Sequence, residues 1–377
     1  MPKKILIVAG EPSGDLHASR LVASLKAIVP DLEFAGIGGA LMKREGVRVL
    51  FDITKLALVG YLEVVRNLAT VARAWSSVMR EVKTNPPDLA ILVDYPGFNL
   101  RLAKALKRRS IRIVYYISPQ VWAWAPERIK IIKGSVEKMI VFFPFEEDLY
   151  RTHGVNVEWV GHPLAETAQS ALTRDEAVRK FGLDCAKRTI ALLPGSRAME
   201  VRHHFGLMIE AARLIAWKVP SVQFIVSRFP GMDERLYTIG GAGPPIDVKF
   251  ITGDTYDMVR AADFAIVASG TAVLETAILG TPMVIVYRAS LPTYVAFKIV
   301  CRLPHIGIVN IIAGREVVPE FLQYDATPEQ ISERVLEFLA SAPALRKMRD
   351  DLCAVTVSLG AAGSVRRAAQ AIAPYLR

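Results

Sequence analysis

Cysteine is scarce in this chain: three in 377 residues, at Cys185, Cys301 and Cys353, far apart and odd in number. That excludes a disulfide framework or a cysteine zinc site and suits a reducing compartment. The six histidines show no metal-ligand spacing, and there is no Asp-x-Asp pair, so neither a metal nor a cofactor is expected. No stretch supplies the ~20 uncharged apolar residues that a spanning helix requires, although 52% of the chain is hydrophobic. The opening run MPKKILIVAG has too short an apolar core for a signal peptide and passes straight into a glycine turn, so it reads as a first buried strand. Acidic residues are outnumbered, 37 against 47 Lys or Arg, giving a net charge of +10. Residues 1–165 alone carry 23 basic and 16 acidic side chains. Such an excess suits nucleic acid, anionic lipid or a phosphorylated substrate, with simple solubility as the plain alternative. Nucleic acid is disfavoured, because the basic residues interleave with aliphatic ones and no binding motif is present.

What the chain does contain is a repeated alternation. Its length suits two domains, divided after Gly161-His-Pro-Leu164. Short apolar runs of strand-formers alternate with helical segments in both halves, at 4–9, 33–37, 47–50, 87–93, 111–117, 139–143 and 157–160, then at 189–193, 222–227, 247–251, 263–268 and 283–287. This predicts an α/β fold of two doubly wound parallel sheets buried on both faces. The clearest junction is Asp263-Phe-Ala-Ile-Val-Ala-Ser-Gly-Thr-Ala-Val-Leu-Glu275. A strand stops at Ser269-Gly270 and a helix starts at Thr271, which points free N–H groups and a positive dipole end at an anion. Glu275, one turn in, is placed to accept from ribose hydroxyls. A second junction, Leu193-Pro-Gly195-Ser196-Arg197, adds a guanidinium suited to a diphosphate; the plain alternative is a solvated surface arginine. Two such turns from one sheet suggest a nucleotide diphosphate site.

The first half offers a sugar-facing edge. Ligands in open α/β sheets bind at the carboxyl ends of strands. Glu11, Ser13 and Asp15 lie in the loop after the first strand and are candidates for sugar hydroxyls, with helix capping as the alternative for Ser13 and Asp15. Asp94 ends the strand at 87–93 and is a candidate general base, or else a turn residue bonding its own backbone. Between them, residues 56–80 predict a helix with a broad apolar surface, including Leu62 and Trp75, crossed by Arg66, Arg73 and Arg80 at heptad spacing. That pattern fits either acyl chains and lipid phosphates or a helix buried in its own domain. Asn310 and Arg315 sit in a turn-rich segment amid apolar neighbours and need polar partners.

Several motifs in this order resemble one family. They are V-A-G-E-P-S-G-D from Val8, D-Y-P-G-F-N from Asp94, S-P-Q-V-W-A-W from Ser118, F-P-F-E from Phe143, G-H-P-L from Gly161, L-P-G-S-R from Leu193, A-S-G-T-A-V-L-E from Ala268 and N-I-I-A-G-R-E-V-V-P-E from Asn310. Together they are similar to the lipid-A-disaccharide synthases, which have the GT-B architecture of two Rossmann-like domains facing across a cleft. The resemblance implies an inverting hexosyltransferase that joins UDP-2,3-diacylglucosamine to 2,3-diacylglucosamine 1-phosphate (lipid X), giving a β-1,6 disaccharide and UDP. It implies functional importance for Asp94, Arg197 and Asn310; the two glycine junctions themselves put the nucleotide-sugar site at Gly195, Ser196, Arg197, Ser269, Gly270, Thr271 and Glu275, and the loop after the first strand puts acceptor-sugar contacts at Glu11, Ser13 and Asp15. Some relatives carry a second acid in the aspartate loop, where this chain has Gly97, which leaves Asp94 as the better base. The expected domains are 1–164 for acceptor and lipid, 165–340 for UDP-sugar, and 341–377 as helices returning to the first domain. The expected setting is the cytoplasmic face of an anionic inner membrane, and an oligomer is compatible with the sequence. Rival readings are a UDP-N-acetylglucosamine 2-epimerase-like enzyme and a non-catalytic nucleotide-sugar binder at a membrane.

Overall fold

The computed structural model describes residues 2–52, 68–240, 244–301 and 303–376. They fall into two compact units, Met1–Pro163 with Ala361–Arg377, and Leu164–Gly360. The first unit holds β1 (Lys3–Ala9), β2 (Leu32–Gly38), β3 (Arg48–Asp52), β4 (Leu89–Val93), β5 (Arg112–Tyr116), β6 (Lys138–Val141) and β7 (Val157–Trp159). These strands pair in parallel, in the order β3-β2-β1-β4-β5-β6-β7. The second unit holds β8 (Arg188–Leu193), β9 (Val222–Arg228), β10 (Val248–Thr252), β11 (Phe264–Ala268), β12 (Met283–Tyr287) and β13 (Glu320–Leu322), also parallel, in the order β10-β9-β8-β11-β12-β13. Both units are therefore doubly wound, as the alternation predicts.

Two-sided burial explains the unbroken apolar runs. Along β1, Leu6 and Val8 enter one apolar layer with Leu92 and Tyr115, while Ile5, Ile7 and Ala9 enter the opposite layer with Ile91 and Val93. In each sheet the strand order reverses at a single place, β1 beside β4 and β8 beside β11. The crevice beyond the carboxyl ends of those two strands is where such folds bind ligands.

The helix over Leu68–Thr84 buries Ala74, Val78 and Val82. Trp75 packs on the same core and meets Phe98 edge-on, with ring centroids 5.7 Å apart. Trp75 is thus partly buried, its indole packed beside the helix that follows β4, which favours the buried-helix alternative at this residue. Arg73 and Arg80 are exposed on this helix; Leu62 and Arg66 lie outside the described residues.

At the other end of the chain, the helix over Ser364–Ile372 lies on the helix over Pro12–Ile28 and puts Ala368, Ala369 and Ile372 into the first unit's core, and the 3-10 turn Ala373–Leu376 adds Leu376. Arg367 Nε ties it down by donating to the Val160 carbonyl at 2.8 Å. The helix over Ala342–Ser358, expected to return as well, stays with the second unit. Two further differences concern the turn-rich segment: Ile308–Ala313 is helical, and Glu320–Leu322 adds an edge strand.

Candidate functional site

A cavity of about 710 Å³ opens at the β8/β11 reversal of the second unit. Its walls include Gly195, Ser196 and Arg197 after β8, Ser269, Gly270 and Thr271 after β11, and Glu275 with Tyr256. A volume of this order suits a nucleotide sugar. The helix over Thr271–Ile278 starts at Gly270 with no side-chain cap, leaving the positive end of its dipole open. Glu275 is half-buried and accepts from the Tyr256 hydroxyl at 2.9 Å, and burial pushes its carboxyl above the usual range.

The β8 loop is drawn together by Glu200. One of its oxygens accepts the amides of Ser196 (2.9 Å) and Arg197 (3.2 Å), and the other accepts from Arg197 Nη1 at 2.9 Å. Gly195, at φ 124°, is the residue that this tight turn requires, since a Cβ there would lie 2.5 Å from Glu200 Cβ. The Arg197 side chain remains 73% exposed. Sequence reasoning missed both Glu200 and His204. Buried His204 offers Nδ1 to the Pro194 carbonyl (3.2 Å) and accepts the Arg288 amide at Nε2 (2.9 Å), which joins the loops after β8 and β12. That pattern needs a neutral ring protonated on Nδ1, and burial lowers the imidazole accordingly. Only its helical spacing from the glycine turn marked it.

At the β1/β4 reversal of the first unit stands Asp94. Its carboxyl is pushed up to about 6, first by burial and then by the nearby Glu11 carboxylate, against a lowering contribution from the Tyr95 amide. A group poised there accepts a proton at neutral pH yet remains basic enough to be useful. Glu11, at the N-terminal boundary of the helix over Pro12–Ile28, and Ser13, in its first turn, are exposed just after β1; the helix starts earlier than the loop over residues 10–15 predicts. Asp15 is not available to a sugar. It is buried, and its carboxylate accepts the amides of Gly39 (2.7 Å), Leu41 (3.0 Å) and Met42 (3.1 Å), so it caps the helix over Ala40–Arg44. The expected cap of its own helix is not what Asp15 provides: it lies in the first turn of the helix over Pro12–Ile28 and caps a different one.

The sequence matches the family described as lipid-A-disaccharide synthetase over residues 5–374. It is 43% identical over 369 residues to the lipid-A-disaccharide synthase of Syntrophus aciditrophicus, covering 97% of this chain and 96% of that one. The chain belongs to the lipid-A-disaccharide synthase family. A second member, from Geobacter metallireducens, is 41% identical over 367 residues, with 97% and 96% covered. Among solved structures, the kitacinnamycin glycosyltransferase superposes with a TM-score of 0.66 at 14% identity, covering 100% of both chains. A UDP-GlcNAc 2-epimerase from Neisseria meningitidis bound to UDP-GlcNAc does so with a TM-score of 0.60 at 12% identity, covering 99% of each. These likenesses show the fold, which is GT-B. The protein is a glycosyltransferase of lipid A biosynthesis.

One residue that the synthase resemblance marks as functional has another job here. Asn310 is 0% exposed. Its Oδ1 accepts the amides of Val317 (2.7 Å) and Val318 (3.0 Å), and its Nδ2 donates to the Val318 carbonyl (2.8 Å) and to Glu320 Oε1 (2.7 Å). All four of its hydrogen-bonding positions are used, so Asn310 pins the segment that leads into β13 and does not reach a substrate. Asn310→Ala should accordingly lower the melting temperature markedly, since each stranded buried partner costs about 1–3 kcal/mol. A variant that melts like the parent enzyme but has lost turnover would restore the catalytic assignment. Arg315, also expected to need a partner, is exposed and forks onto Asp351 at 2.7 and 3.3 Å. Among the described residues, no group of three or more His, Cys, Asp or Glu side chains is disposed to hold a metal ion.

Proposed function

We propose that this synthase transfers the diacylglucosaminyl group of UDP-2,3-diacylglucosamine to the 6-hydroxyl of lipid X, with inversion. The observation that carries the reading is a nucleotide-sized cavity at the second reversal together with a poised carboxylate at the first. In this scheme Asp94 takes the proton from the acceptor hydroxyl, whose oxygen forms the new bond to the anomeric carbon as the bond to UDP breaks. Charge growing on the departing diphosphate is met by Arg197 and by the amides at Gly270 and Thr271. Glu275, steadied by Tyr256, holds the ribose. Gly195, Ser196 and Ser269 let the backbone approach the phosphates, while Glu11 and Ser13 meet the acceptor sugar.

The deciding experiment mixes purified protein with UDP-2,3-diacylglucosamine, with and without lipid X, and follows both UDP and lipid mass. Acceptor-dependent UDP release with a disaccharide product supports the reading. UDP release or sugar isomerisation without acceptor would favour the epimerase-like alternative, and UDP binding with no reaction would favour the non-catalytic one.

The pH dependence follows from Asp94. The base works ionised, so kcat/KM, which reports the free enzyme, should fall as pH drops through about 6. Glu11→Gln removes a neighbouring negative charge that raises the Asp94 carboxyl, so the acid limb should move to lower pH. An unmoved limb would uncouple Glu11 from the base.

Among the described residues no helix is long and apolar enough to cross a membrane. The helix over Pro96–Lys107 and the turn after it expose Arg101, Lys104, Lys107 and Arg108, and Arg73 and Arg80 are exposed on the helix over Leu68–Thr84. We assign this basic surface to the anionic inner face of the inner membrane. Replacing Arg101, Lys104 and Arg108 together by Ala should weaken binding to anionic vesicles by roughly 100-fold, at about 1 kcal/mol per cation. Vesicle binding equal to the parent enzyme would remove this face from the interaction.

A further inference from the structure

We infer that Asn99 and Tyr115 are positioning residues, which together hold the strained two-residue elbow that presents the Asp94 carboxylate. Asp94 and Tyr95 are consecutive non-glycine residues in the left-handed region, at φ 44° and φ 49°. Had β4 continued, Asp94 would follow Ala90 and Leu92 onto the face packed by the helix over Leu68–Thr84. The elbow breaks that alternation. Pro96 contributes from the sequence side, because it bars the residue before it from the right-handed helical region. Two successive left-handed residues still persist only where surrounding structure over-determines them.

That surrounding structure is specific. The Tyr115 hydroxyl, from the neighbouring strand β5, donates to the Asp94 carbonyl at 2.6 Å. Asn99 Nδ2 donates to the same carbonyl at 2.8 Å and to the Val93 carbonyl at 3.1 Å. Both side chains are fully buried. The Asp94 amide donates to the Tyr116 carbonyl at 3.0 Å, and the Tyr95 ring lies so close over Gly10 that a Cβ there would sit 2.1 Å from it. Neither Asn99 nor Tyr115 is bonded to the Asp94 carboxylate itself. They grip the backbone that aims it, which is how a structural side chain sets the position of a reacting group.

This inference rests on the proposal that Asp94 is the base, and the test separates the two. Tyr115→Phe and Asn99→Ala enzymes would be compared with the parent by steady-state kinetics and by carboxyl-carbon NMR titration of Asp94, its resonance identified by its loss in Asp94→Asn. The charged and titratable groups that face that carboxyl are Glu11 after β1, Tyr95 beside it and Tyr115 behind it, the last of which also feels Tyr150 and Arg128. All but Tyr115 are retained in both variants. A loosened elbow should lower kcat by roughly 10- to 100-fold with KM for both substrates unchanged. It should also let water reach the carboxyl, so that Asp94 titrates at lower pH than in the parent. Tyr115→Phe removes one oxygen atom and keeps the ring, so it answers the question even where Asn99→Ala fails to fold. Parent-like titration in Tyr115→Phe overturns the inference, whatever the kinetics. If instead Asp94→Asn keeps its turnover, the base assignment falls, and the titration still decides whether the elbow is held as described.

Discussion

The Asp94→Asn enzyme is expected to bind UDP as the parent does and to lose about 10²- to 10⁴-fold in kcat, the usual worth of a positioned general base. The amide keeps the shape of the side chain but cannot take the acceptor proton. Stability should move the other way. A carboxyl raised to about 6 when folded binds its proton more tightly in the folded state than in the unfolded one. Its contribution is greatest below the unfolded value near 4 and declines as pH rises through about 6. At pH 7.5 the parent therefore bears the cost of an ionised, half-buried carboxylate, and the variant does not. Asp94→Asn should melt at or above the parent temperature. Retained turnover would remove Asp94 as the base, and a lower melting temperature would reduce it to a turn residue.

Arg197→Ala should lower kcat/KM roughly 10- to 150-fold, because a desolvated charge-assisted contact to a diphosphate is worth about 1.5–3 kcal/mol. Without ligand the guanidinium is exposed and held by Glu200, an ion pair of little worth in solvent, so the loss should appear in donor kinetics and UDP affinity more than in melting. Arg197→Lys should recover only part of it, since an ammonium lacks the planar fork. Kinetics equal to the parent would leave Arg197 as a surface partner of Glu200 and nothing more.

How far the sequence could be read depended on whether a feature was local. Every strand but Glu320–Leu322 is a short run rich in apolar residues, and the glycine junctions at Gly195 and Gly270 mark the cavity by local pattern alone. What escaped was set by partners far along the chain. Asp15 sits where a cap of its own helix would be expected, yet its oxygens go to amides at Gly39, Leu41 and Met42. Asn310 stands in a motif that the resemblance marks as functional, but its bonds to Val317, Val318 and Glu320 appear only once the segment has folded back. Trp75 lies on a helix whose apolar surface is equally suited to lipid and to core, and its packing on Phe98, seen only in the fold, weighs toward the core. The edge strand Glu320–Leu322 is three residues of mixed polarity, too short to show a period. Tyr115 looked like one more buried strand residue, since nothing local reveals that its hydroxyl ends on the Asp94 carbonyl.

The first unit is made from both ends of the chain and the second from one uninterrupted stretch, Leu164–Gly360. During synthesis on the ribosome, the amino-terminal sheet is therefore complete long before the helix that covers part of it has been made. The apolar stripe on the Pro12–Ile28 helix that receives Ala368, Ala369 and Ile372 stays uncovered until residues 361–377 have been made. The half that begins last is the half that can finish first. Chains truncated at Gly360 and released should thus carry a closed second unit and an unfinished first one, with the stripe on the Pro12–Ile28 helix left open to solvent.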